Sequence, residues 1–200
     1  MPADLQFFFR AKEAGVFQHL DAERVQKIND EVGGRDIAVV MCGDCSHSRD
    51  KMAHLFQVFR GNEPHVLAFN GGGMMADAMA PANNRGGFNS APFVQYQILQ
   101  TLQVKDEIAQ IFLEAHFPCA VAGRANMTIV SQIRSLIAAK RIIKERIIKE
   151  RISGRRLPVK IGLLFHLYND SVSVEECRRM YYFCDNTMED FLLQQAPSSV

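Results

Sequence analysis

Short apolar runs rich in β-branched residues alternate with segments of helical periodicity along the chain, and this alternation constrains the fold more than any other feature. The runs lie at residues 36–41, 65–69, 108–113 and 158–168. Their length and apolar character predict buried strands. Helical patterns cover residues 50–60, 92–104 and 127–152, and a closing helix is expected over 174–193. Such alternation predicts an α/β, three-layer fold with a central, mainly parallel sheet flanked by helices. Residues 5–32 read as one or two helices, with Asp21 as an N-cap and Gly33-Gly34 as a stop. The chain therefore divides into an N-terminal helical arm (1–34) and a single α/β domain (35–200).

Composition narrows the function classes. The 200 residues are 48% hydrophobic and 22% charged, enough for one core and too apolar for general disorder. A net charge of +1 argues against bulk nucleic-acid binding. No apolar run approaches the roughly 18 residues of a membrane span. The first residues lack the basic start and apolar stretch of a secretory signal. The expected setting is cytoplasmic, with no nucleic-acid or membrane partner. Five cysteines in such a chain point to reduced thiols serving metal or redox chemistry.

Two stretches need a separate account. Residues 71–92 are rich in Gly, Asn, Pro and Met and read as a long loop, of the kind that tends to carry function. Met74, Met75 and Met79 either line a hydrophobic mouth there or ride on a mobile loop. The second stretch is a direct repeat, Arg141-Ile-Ile-Lys-Glu followed by Arg146-Ile-Ile-Lys-Glu. Five residues advance a helix by about 500°, so the repeat cannot hold one face. Ile129, Ile133, Leu136, Ile143 and Ile147 form a stripe, whereas Ile142, Ile148 and Ile152 fall off it. The helix is expected to be partly buried on two sides.

The residues with chemistry fall in two clusters. Cys42-Gly-Asp-Cys-Ser-His-Ser-Arg49 follows the first run, and His116-Phe-Pro-Cys119 follows the third. Ligands gather at the carboxyl ends of parallel strands, so the fold can bring the two together. Thiolate and imidazole are the usual ligands of zinc, and a spacing of three residues lets one turn present two of them. Cys42 taken alone reads as a strand-end core cysteine. Cys177 and Cys184 are expected on one face of the closing helix. His19, His54 and His166 read as surface or packing residues.

These motifs resemble a divergent beta-class carbonic anhydrase. That family has a strand followed by Cys-x-Asp-x-Arg and a later strand followed by His-x-x-Cys. Cys45-Ser46-His47-Ser48-Arg49 is similar to the first motif, with His47 at the family's Asp, and His116 and Cys119 match the second. His65-Val-Leu-Ala-Phe-Asn-Gly-Gly72 resembles the strand ending in Arg-Asn-Ala-Gly, with Phe69 replacing Arg. The likeness spans roughly residues 35–175 in the same order. It implies a zinc site made by Cys45, His116 and Cys119, with His47, Asp44 and Arg49 as the catalytic surroundings. It implies a zinc-supplied hydroxide attacking carbon dioxide or a related small electrophile, with carbon dioxide or bicarbonate as the small-molecule partner. It also implies a homodimer or a dimer of dimers.

The departures leave alternatives open. In the family the Asp accepts a hydrogen bond at the metal's reactive ligand and the Arg holds that Asp. His47 cannot act as a carboxylate; it can complete the zinc site, accept a hydrogen bond, or yield to Asp44. The fourth ligand is water, His47, Asp44 or Cys42. In a second register Cys42-Gly43-Asp44 supplies the Cys-x-Asp, and Ser46 stands where Arg belongs; the Cys45 register is preferred because it keeps the Arg. Cys42, Cys45, His116 and Cys119 would make a closed, structural site in a non-catalytic binding module. Cys42-Gly-Asp-Cys45 also has the form of a thiol oxidoreductase pair. Gly71-Gly72-Gly73 does not make a dinucleotide fingerprint.

Overall fold

Each of the four apolar runs forms a strand. The computed structural model describes residues 3–43, 45–59, 64–84, 87–149, 159–168 and 178–195, with side chains throughout except at residues 32, 45–48, 50, 58 and 178. Among these residues, β1 (Gln18–His19), β2 (Ile37–Cys42), β3 (His65–Phe69), β4 (Gln110–Phe117), β5 (Lys160–Tyr168) and β6 (Arg178–Phe183) make one sheet in the order β1-β6-β5-β4-β2-β3. β2 runs parallel to β3 and β4, and β4 runs parallel to β5. β6 is antiparallel to both β5 and β1.

Side-chain alternation along β2 sets up the layers. Ile37, Val39 and Met41 pack with Val25 and Ile28 of α2 (Ala22–Val32) and with Leu55 of α3 (Cys45–Val58). Ala38, Val40 and Cys42 face the other way, into the cluster holding Ile98 and Leu102 of α4 (Ala91–Val104). Ile133 and Leu136 of α6 (Ile129–Lys149) and Met188 of α7 (Asp185–Gln194) join the same cluster. The sheet is thus covered by helices on both faces. α1 (Ala3–Glu13) adds Phe8 to this core, its ring 5.0 Å from Tyr181 and 6.2 Å from Phe165. Among the described residues, no helix is long and apolar enough to cross a membrane.

Local chemistry explains the element ends. Asp21 caps α2 by accepting the Arg24 N–H at 2.8 Å, and Gly33 closes the helix with φ 66°. On α6 Ile129, Ile133, Leu136 and Ile143 of the stripe are buried and Ile147 is half-buried; off the stripe Ile142 is half-buried and Ile148 exposed, and Ile152 lies outside the described residues.

Three expectations need correction. The closing helix over 174–193 is instead β6 followed by α7. Tyr181, Tyr182 and Phe183 are β-formers, and the pairing of this segment with β5 outweighs the helical spacing. Cys184 therefore caps α7 in an exposed position rather than sharing a helix face with Cys177, which lies outside the described residues. Secondly, His116 lies within β4 rather than beyond it. Thirdly, the stretch after β3 is folded: Gly72–Ala76 and Pro81–Asn84 form 3-10 helices, with Met74 and Met75 buried and only Met79 of the three methionines exposed. Asn83 pins it, its amide donating to the carbonyls of Met75 at 2.9 Å and Asp77 at 2.8 Å.

The pairing between β2 and β4 stops at Val40 and Leu113. Beyond that point β2 continues to Cys42 against β3, and β4 continues to Phe117 against β5. The two strands part at their carboxyl ends, and the turn carrying Gly72 and Gly73 sits in the gap.

Candidate metal centre

The gap between β2 and β4 gathers three potential ligands. Cys42 is the last residue of β2, His116 lies near the end of β4, and Cys119 is the N-cap of the short helix α5 (Ala120–Arg124). One ligand atom from each lies within 4.8 Å of the other two, and all three residues are buried. Ligands about 2.0–2.3 Å from a shared ion lie within about 4.6 Å of one another, so the group is gathered close to that arrangement and would tighten on an ion.

Cys42 therefore takes the place expected of a ligand rather than that of a plain core cysteine. His116 and Cys119 join it as the sequence motif suggests. Cys45 opens α3, so the helix begins before the residue 50 that the sequence pattern suggested. The Cys45 and His47 side chains, and Asp44 entirely, lie outside the described residues. Arg49 is exposed on α3.

Thiol chemistry in this group is strongly perturbed. A hydrogen bond from the Cys119 thiol pushes the Cys42 pKa down to about 4, against the opposing effect of burial, with His116 and the Gly71 amide lowering it further. The same hydrogen bond, with burial, raises the pKa of Cys119. The two shifts oppose each other through one shared hydrogen bond, and a divalent cation held by both sulfurs would displace the thiol proton. The Gly71 N–H donates to Cys42 Sγ at 3.2 Å.

A buried ion pair underlies Cys42. Lys51 on α3 and Glu114 on β4 approach at 3.4 Å with both side chains fully buried. Glu114 Oε2 accepts the Cys42 N–H at 2.9 Å, and Lys51 Nζ donates to the Cys42 carbonyl at 3.0 Å. Neither residue was singled out from the sequence. The available signal was a carboxylate inside an apolar strand, two residues before a candidate ligand.

A cavity of about 320 Å³ adjoins this region, with Phe69, Met75, Phe93 and Val121 in its walls. A Cβ on Gly71 would meet Met75 at 2.7 Å and Val121 at 3.3 Å, so the residue bonded to Cys42 Sγ also touches the cavity lining. No protein-family model matches the chain, and no curated protein matches it.

Proposed function

We propose that Cys42, His116 and Cys119 hold zinc and that the chain is a carbonic-anhydrase-like lyase acting on carbon dioxide or a related small electrophile. The donor set carries this reading: two sulfurs and one imidazole, buried and within 4.8 Å of one another. Zinc accepts thiolate and imidazole together, and three protein ligands is the number found where a fourth position stays exchangeable. When bound, zinc would supply hydroxide near neutral pH for attack on carbon dioxide.

The chain's own residues prepare the site. The Gly71 amide withdraws charge from Cys42 Sγ. The adjoining cavity sets Phe69, Phe93 and Val121 beside the polar Asn70, Asn83 and Ser90, a mixed lining with room for a small molecule. With Cys42 as first ligand, the resemblance to the beta class reads in the register that sets Asp44 at the family's carboxylate and Ser46 at its Arg. His47 then leaves the carboxylate position. A homodimer or dimer of dimers belongs to the same reading.

Stopped-flow carbon dioxide hydration on zinc-loaded protein tests it. Hydration that small anions inhibit, and that Asp44→Asn lowers while zinc is retained, is the expected result. Zinc-loaded, folded protein with no hydration above buffer would overturn the lyase reading and favour a closed, structural site completed from residues 44–47.

A further inference from the structure

Where β2 and β4 part, the Cys42 peptide loses its ladder partner on the β4 side, because pairing ends at Val40 and Leu113. A buried N–H cannot be left without an acceptor at small cost. Here the acceptor is a side chain: Glu114 Oε2 takes the Cys42 N–H at 2.9 Å. The carboxylate is fully buried, and its charge is balanced by Lys51, which α3 carries over the same gap. The ammonium also reaches the Cys42 carbonyl at 3.0 Å. One ion pair therefore grips both main-chain polar groups of a single residue, and that residue bears a candidate ligand sulfur.

A buried ion pair is a poor device for stability alone, since desolvation offsets most of its attraction. Its use here lies in direction. The two bonds fix the Cys42 backbone, and the Gly71 amide fixes the sulfur from a third side. We propose that Lys51 and Glu114 are positioning residues of the metal centre: they hold Cys42 in its ligating position before the ion arrives. This rests on the metal reading above.

Cobalt(II) is the probe, because thiolate-to-cobalt charge transfer reports sulfur ligation directly. Wild-type full-length protein is titrated first, then Lys51→Met/Glu114→Gln, in which the glutamine oxygen still accepts the Cys42 N–H and no charge is left unpaired. The expected result is a metal-free melting temperature near that of the wild type, with cobalt affinity 10–100-fold weaker and an altered charge-transfer band. Wild-type affinity and spectrum in the double variant would overturn the positioning role while leaving the metal site intact. A wild-type protein that binds no cobalt would remove the metal reading and this one together. Amide hydrogen exchange on the metal-free wild type gives a second check that needs no variant. The Cys42 N–H should be protected to the level of Val39 and Val40; rapid exchange there would overturn the proposal.

Discussion

Gly72 lies so close to Glu114 that an added Cβ would fall 2.5 Å from the Glu114 carbonyl oxygen and 2.8 Å from the Cys42 nitrogen. Its φ of +66° is also a conformation that side chains disfavour. The turn after β3 can enter the gap between β2 and β4 only because this position carries no side chain. Gly72→Ala should destabilise the protein by about 3 kcal/mol or more, from clash and backbone strain combined. Urea unfolding measures this. Because the clash is with the Cys42 backbone, metal affinity should fall in the same variant, whereas Gly87→Ala, with nothing within 4 Å of its Cβ, should leave metal affinity unchanged.

Removing one member of the buried ion pair should cost more than removing both. Lys51→Met leaves the Glu114 carboxylate uncompensated in a fully buried site, for a loss of about 3–5 kcal/mol. Combining it with Glu114→Gln should recover much of that loss. A thermodynamic double-mutant cycle gives the coupling. Additive losses would show that the two charges do not depend on each other.

Stability should fall on mild acidification because of two histidines that are not among the three candidate ligands. His54 Nε2 donates to the Leu20 carbonyl at 3.1 Å, and burial pushes its pKa below the ordinary value although that bond opposes the shift. His19, 6.1 Å away between ring centroids, is lowered by burial and further by Arg179 and His54. The fold holds both rings neutral, whereas the unfolded chain protonates near pH 6.5. The unfolded state therefore binds more protons below that pH. The stabilisation is fully present above about pH 6.5 and is lost as pH drops toward the folded-state values. Urea midpoints should be lower at pH 5.5 than at pH 7.5. His54→Gln, which can still donate to Leu20, should reduce the difference; an unchanged slope would assign it to other groups.

The segment after β3 should behave as a folded wall rather than a free loop. Asn83 is buried, and its side chain bonds to the carbonyls of Met75 and Asp77 and to the Ser90 N–H. Asn83→Ala leaves these groups without their partner and should cost about 2–3 kcal/mol. Hydrogen exchange should rise mainly across residues 72–90.

The sequence legibility of this fold follows from how each element earns its burial. β2, β4 and β5 could be read because a strand covered on both faces is a plain apolar run, and β3, a half-buried edge strand, because its short apolar run ends at a glycine cluster. β6 was obscured by Arg178-Arg179 at its start, and β1 is two residues long and exists only through its pairing with β6. His116 and Cys119 were legible as a pair because their spacing is local. The place of Cys42 beside them was not, because Cys42 and Cys45 both follow the same apolar run. The structure places Cys42 as the last strand residue and Cys45 as the first helical one, a boundary that follows the pairing of β2 with β3, which runs to Cys42 and Phe69. Lys51 and Glu114 join elements distant in the chain, so no motif announces them.

The most direct test of the account is the zinc content of the reduced, full-length protein beside Cys42→Ser, Cys119→Ser and Cys45→Ser. One zinc per chain in the wild type, lost in the first two variants and kept in the third, is the predicted result. A wild type without zinc, or zinc kept in Cys42→Ser and lost in Cys45→Ser, would contradict it.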